Sequence, residues 1–119
     1  SHIESKILFS LQKRYSGEMK TQIHFMYGPP DKPEFRYTPD RSLQTDDTLY
    51  FFEIKYVLKR EFGKKIVDVT SVYLKTVYDK FHSVSGKRLV IKLVLASSED
   101  IDISNFSTPD GIELEFFKV

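Results

Sequence analysis

Thr48-Leu49-Tyr50-Phe51-Phe52-Glu53-Ile54-Lys55-Tyr56-Val57 is the stretch on which the fold turns. Successive side chains of an extended chain point to opposite faces. One face then carries Leu49, Phe51, Glu53, Lys55 and Val57, and the other carries Tyr50, Phe52, Ile54 and Tyr56. Both faces are largely apolar, which predicts a strand inside a sheet that is covered on both sides. Glu53 and Lys55 need a reason to be there, because a buried charge is costly unless it is paired or bound to a metal.

Upstream, Thr45-Asp46-Asp47 has turn chemistry, and Phe35 to Leu43 reads as a second extended segment. Pro39 lacks an N–H, so that segment is an edge strand or is irregular at Pro39. With Asp46 and Asp47 as the two turn residues of a hairpin, Asp40 falls directly across from Glu53. Such cross-strand neighbours have Cβ atoms about 4.5–5.5 Å apart. Two carboxylates at that distance repel each other, and a divalent cation between them removes the repulsion. Mg²⁺ takes hard oxygen ligands at about 2.0–2.1 Å and keeps several waters. Lys55, two residues beyond Glu53, emerges on the same face, where its ammonium stabilises charge that develops on a phosphate. A metal beside a fixed cation is machinery for phosphodiester hydrolysis.

The rest of the chain supplies the frame. Glu4 to about Gly17 reads as an amphipathic helix, with Ile7, Leu8, Leu11 and Tyr15 at helical spacing. Lys20 to Tyr27 alternates as a half-buried strand, and Gly28-Pro29-Pro30-Asp31-Lys32-Pro33 breaks it. Ile66 to about Ser83 is a second helix, whose apolar repeat is Ile66, Val69, Tyr73, Val77 and Phe81 and which Ser85-Gly86 ends. Arg88 to Ala96 is a strand, Ser97 to Asp110 a polar connection with a turn at Pro109-Asp110-Gly111, and Ile112 to Val119 a final strand. The order α-β-β-β-α-β-β predicts an α/β domain with a mixed sheet and helices packed on it.

Pro39-Asp40, twelve intervening residues and then Glu53-Ile54-Lys55 resemble the PD-(D/E)xK motif of restriction-endonuclease-like nucleases. The surrounding order of helix, three strands, helix and strand is similar to that superfamily's common core, so the resemblance covers about residues 4–96. It implies a restriction-endonuclease-like core and a nuclease dependent on Mg²⁺ or Mn²⁺, with Asp40, Glu53 and Lys55 as catalytic residues. It also implies a metal held by Asp40 and Glu53, joined by Glu4 at the opening of the first helix and by the Ile54 carbonyl. The exonuclease-type branch carries Gln-x-x-x-Tyr on the second helix, and here Leu74 stands four before Tyr78. Inactive members of the superfamily usually lose one of the three motif residues, and none is missing here. The alternative is a catalytically inactive module of the same fold that binds nucleic acid or protein.

Composition sets the outer bounds. The chain has 119 residues, enough for one domain that buries roughly two-thirds of its unfolded surface. It has no cysteine, which excludes disulfides, thiolate nucleophiles and sulfur-based zinc sites. Ser1-His2 reads as the remnant of a cleaved tag. No apolar run approaches the ~18–20 residues that span a bilayer, and no signal-type stretch opens the sequence, so no membrane partner is expected. The expected setting is intracellular: cytoplasmic or nucleoid-associated, or nuclear in a eukaryote. Residues 54–92 hold ten basic groups against three acidic ones, a net of +7, between segments of −1 and −5. Such a middle third suits a polyanion, although a solvated helix with its flanks has the same composition. Lys59, Lys64 and Lys65, just past the central strand, are the expected nucleic-acid contacts, with DNA favoured over RNA. A core this small leaves little room for a recognition domain, so a homodimer or a place within a larger protein is expected.

Overall fold

A computed structural model describes residues 2–84 and 86–119, so Ser1 and Ser85 lie outside the described residues. Helix α1 (His2–Arg14) opens the chain. Strands β1 (Phe25–Tyr27), β2 (Phe35–Tyr37), β3 (Arg41–Gln44) and β4 (Thr48–Tyr56) follow. A 3₁₀ turn at Arg60–Phe62 leads into helix α2 (Gly63–Phe81). Strand β5 (Arg88–Ser97), a second 3₁₀ turn at Ile103–Asn105 and strand β6 (Ile112–Lys118) complete it. The sheet order is β3-β4-β5-β6, with β3 antiparallel to β4 and the other neighbours parallel. The result is an α/β architecture with a mixed open sheet between helices.

The central strand sits where its two apolar faces require. Leu49, Phe51 and Val57 join the core under α2, together with Val67, Leu74, Val77, Ile91, Leu93 and Leu95. Phe52 packs on the opposite face with Ile7 and Leu11 of α1 and with Val94, Ala96 and Phe117. The hairpin register is also as expected: Arg41 pairs with Phe52, Ser42 with Phe51, Leu43 with Tyr50 and Gln44 with Leu49.

The chain departs from expectation upstream of β3. Only Phe25–Tyr27 of the expected strand over residues 20–27 is paired; Lys20 keeps an isolated bridge to Ser42, and Gln22 takes a left-handed conformation (φ 59°) that breaks the extended run. The expected single segment over residues 35–43 is two strands, because Thr38-Pro39-Asp40 leaves the ladder. Pro39 cannot donate to it. β1 and β2 therefore form a separate antiparallel ribbon. Its rings lie on the α2 side of the sheet, with Phe25 4.6 Å and Tyr37 5.3 Å from Phe51 between centroids.

Helix α2 needs a second correction. It starts at Gly63 and ends at Phe81, and its buried stripe is Gly63, Val67, Ser71, Leu74, Val77 and Phe81. Val69 and Tyr73, expected in the core, are 64% and 49% exposed. Gly63 and Ser71 hide the true stripe because neither is apolar in the sense a periodicity search counts, while Val69, Val72 and Tyr73 mark out a second stripe in solvent. The first helix likewise stops at Arg14, short of Gly17. The turn at Pro109-Asp110-Gly111 forms as expected, with Ile112 N–H donating to the Pro109 carbonyl at 3.1 Å. Gly111 has φ 85°, and a Cβ there would lie 2.3 Å from the Tyr78 ring, so glycine is required twice over.

The phasing of α2 is open to a direct test. Leu74→Ala should cost about 2–5 kcal/mol in urea unfolding. Val69→Ala should change stability by no more than about 0.5 kcal/mol. Comparable losses at the two positions would contradict the stripe described here.

Candidate active site

The bend between β2 and β3 delivers two oxygen-bearing groups to Glu53 of β4. Tyr37, the last residue of β2, donates its hydroxyl to Glu53 Oε1 at 2.8 Å. Asp40, the last residue of the bend, accepts the Ile54 N–H on Oδ2 at 2.8 Å. That hydrogen bond takes over where the β3–β4 ladder stops and fixes the Asp40 carboxylate at the edge of β4. Lys55 Nζ stands 3.6 Å from Glu53 Oε2. Asp40, Glu53 and Lys55 are thus brought together, although Asp40 is not paired across from Glu53 as the hairpin was expected to place it: the ladder ends at Arg41–Phe52, and the bend delivers its carboxylate.

The electrostatics of Glu53 are a contest. Burial pushes its carboxyl above the usual range and the charge of Asp40 adds to the rise, while the Tyr37 hydroxyl and Lys55 oppose it. Tyr37 is buried, and burial first, then the Glu53 charge, raises its own pKa, so its proton stays on the phenol and the hydroxyl remains a donor. A residual rise at Glu53 means that Tyr37 and Lys55 do not fully compensate the desolvated charge.

Glu4, Asp40 and Ile54 line one cleft of about 300 Å³ with Ile3, Ile7 and Tyr56, on the α1 side. Glu4 Oε1 also approaches Arg41 at 4.0 Å, a weak pairing over an exposed carboxylate. Of the expected nucleic-acid contacts, Lys65 lines a second cleft beside Lys55. Lys64 is paired with Asp68 at 2.8 Å, and Lys59 is exposed just before the 3₁₀ turn.

Among the described residues no group of three or more His, Asp or Glu side chains is arranged to hold a metal ion by itself. The donor set nonetheless suits a hard cation. Asp40 and Glu53 offer carboxylate oxygens whose mutual repulsion is still felt at Glu53, and Mg²⁺ is commonly held through one or two carboxylates with waters filling the remaining positions. Reasoning from the sequence missed Tyr37 and Tyr56. Tyr37 could not be found by spacing, because its reach to Glu53 depends on β2 leaving the sheet. Tyr56, the last residue of β4, lines the same cleft as Glu4, Asp40 and Ile54 and is 40% exposed.

Comparison with known protein families, with curated proteins and with solved structures returns no match.

The raised pKa of Glu53 fixes the sign of a stability experiment. The folded state holds the Glu53 proton more tightly than the unfolded chain does, so ionising Glu53 costs stability. That cost is absent below the unfolded pKa near 4.5 and grows as pH rises through the folded value. In metal-free buffer, the stability of Glu53→Gln relative to the parent should therefore increase from acid to neutral pH in denaturant melts. A relative stability that falls over the same range would contradict the assignment of Glu53 as a desolvated, like-charge neighbour of Asp40.

Proposed function

We propose that this protein is a metal-dependent nuclease that hydrolyses DNA phosphodiester bonds, with Asp40, Glu53 and Lys55 as its catalytic residues. The observation that carries the reading is the convergence of the three groups. The bend at Pro39-Asp40 sets one carboxylate against the edge of β4, beside a second carboxylate whose pKa is raised by burial and then by the first, and next to a lysine 3.6 Å away. A structural reading pairs Glu53 with Lys55 and lets Asp40 accept the Ile54 N–H, but it leaves the repulsion between the two carboxylates unrelieved, and a bound cation relieves it.

Asp40 and Glu53 would hold Mg²⁺ or Mn²⁺, with Glu4 and the Ile54 carbonyl as further oxygen donors on the α1 side. A cation held there supplies Lewis acidity and a nucleophile competent at neutral pH. The chain's own groups do the rest. Tyr37 keeps Glu53 in one orientation through the hydroxyl it donates. The Ile54 N–H keeps Asp40 turned toward β4. Lys55, with its side chain 43% exposed, presents an ammonium that stabilises negative charge growing on the phosphate. The inactive binding module on the same fold is the competing reading, and it predicts binding without cutting.

Cleavage of plasmid or oligonucleotide DNA in Mg²⁺ or Mn²⁺, with EDTA as control, separates the two. Glu53→Gln is expected to abolish cutting while the melt stays cooperative. Lys55→Ala removes one preorganised charge and should lower the rate by about 10²–10³. Cutting that survives both substitutions unchanged would place the activity elsewhere. A folded parent protein that binds DNA and never cuts it in either metal would favour the binding module.

A further inference from the structure

The segment that leaves β4 interleaves apolar side chains with cations: Tyr56, Leu58, Lys59, Phe62 and Lys65. The apolar members face outward, with Tyr56 40%, Leu58 66% and Phe62 47% exposed. Scattered exposed apolar residues need no explanation, but an exposed ring that lines a cleft with two lysines, as Tyr56 does beside Lys55 and Lys65, does. Phe62, Ile66 and Val69 recur at helical spacing and so form one stripe. Ile66 and Val69 line a cleft of about 340 Å³ together with Lys55, Tyr56, Lys65 and Thr70. Tyr56, the last residue of β4, also lines the cleft that holds Glu4, Asp40 and Ile54, so it borders both.

Two of the cations are available as well, while Lys55 stands 3.6 Å from Glu53. Neither Lys59 nor Lys65 has an ion-pair partner among the described residues. Arg60 is different: its backbone N–H donates to Glu99 at 2.6 Å and its Nε to the Asp100 carbonyl at 2.7 Å, which ties it to the loop after β5.

We infer that this surface takes its nucleic acid as a single strand, with unpaired bases stacked on Tyr56 and Phe62 and phosphates against Lys55, Lys59 and Lys65. Every base has a face that stacks on an aromatic ring, and a cationic groove follows the backbone without regard to sequence. A duplex keeps those faces inside its own stack and would leave the two rings against water and sugar. Charge complementarity favours a polyanion over a protein partner, since the charged residues lining the cleft are Lys55 and Lys65, with Glu53 at 3.6 Å from Lys55 and the exposed Glu61 as the nearby counter-charges. The inference deepens the nuclease reading and rests on it for the strand's role as substrate, though not for binding itself.

The test is fluorescence anisotropy in EDTA at low salt, with a labelled oligothymidylate and a duplex of the same length. The wild-type chain should bind the single strand more tightly than the duplex. Tyr56→Leu and Phe62→Leu keep apolar bulk and lose the aromatic plane. Each should weaken single-strand binding by about five- to a hundredfold. Their salt dependence and thermal melts should stay unchanged, because phosphate contacts and core are untouched. Equal or tighter duplex binding, or Leu variants that bind like wild type, would overturn the inference. So would Leu variants that lose a concentration-dependent dimer in sedimentation with binding unaltered, which assigns the surface to a second copy of the chain. Because EDTA keeps cleavage out of the readout, a protein that binds single strands without ever cutting them leaves the inference standing and sinks the catalytic reading. A wild-type chain that binds neither nucleic acid overturns the inference, and cleavage in Mg²⁺ or Mn²⁺ decides the catalytic reading separately.

Discussion

The register of the β3–β4 hairpin is the constraint on which everything at the site depends. A slip of one residue would move each β3 side chain to the opposite face and Asp40 away from Glu53. The turn holds the register with more than its backbone. Thr45 N–H donates to the Thr48 carbonyl at 2.9 Å, and Thr48 N–H donates to Thr45 Oγ1 at 3.1 Å. Both hydroxyls also donate to Asp47 Oδ1, at 3.1 and 3.0 Å. The hydroxyl of Thr48 first, then that of Thr45, holds the Asp47 carboxyl below its usual range. The Asp47 carbonyl accepts from the Arg88 N–H at 3.0 Å, which ties the turn to the start of β5.

A fixed register then makes Pro39 useful. The bend takes Asp40 out of the ladder, where its carboxylate accepts the Ile54 N–H, and sends Tyr37 into the layer between the sheet and α2. One local irregularity therefore sets both of Glu53's oxygen-bearing neighbours. The arrangement leaves Glu53 partly uncompensated, a local cost of the kind that persists where the surrounding fold overdetermines the geometry. Here the overdetermination is visible in Phe51 and Phe52, fully buried on the two faces just before Glu53.

Much of this was legible in the sequence, and the parts that were not share a cause. Alternation along Thr48–Val57 and the Asp46-Asp47 turn are local signals, and they gave the sheet position, the face assignment and the register. The split of residues 35–43 was half visible, since Pro39 announced irregularity but not where β2 would go. The Tyr37–Glu53 hydrogen bond belongs to that destination, which is a tertiary fact. The phase of α2 was misjudged because its buried side contains Gly63 and Ser71 and its exposed side contains Val69, Val72 and Tyr73. Hydrophobicity there marks two stripes, and only packing decides which one is core. Val69 belongs both to that exposed stripe and to the cleft on which the single-strand inference stands.

The site is defined by two carboxylates whose proximity makes sense if a cation joins them. A crystal grown with Mn²⁺ and measured at the manganese absorption edge tests that idea without recourse to activity. One anomalous peak bonded to oxygens of both Asp40 and Glu53, at about 2.1 Å, is the expected result. Ordered Asp40 and Glu53 side chains with no peak between them at saturating Mn²⁺, or with their carboxylates too far apart for one ion to reach both, would contradict it.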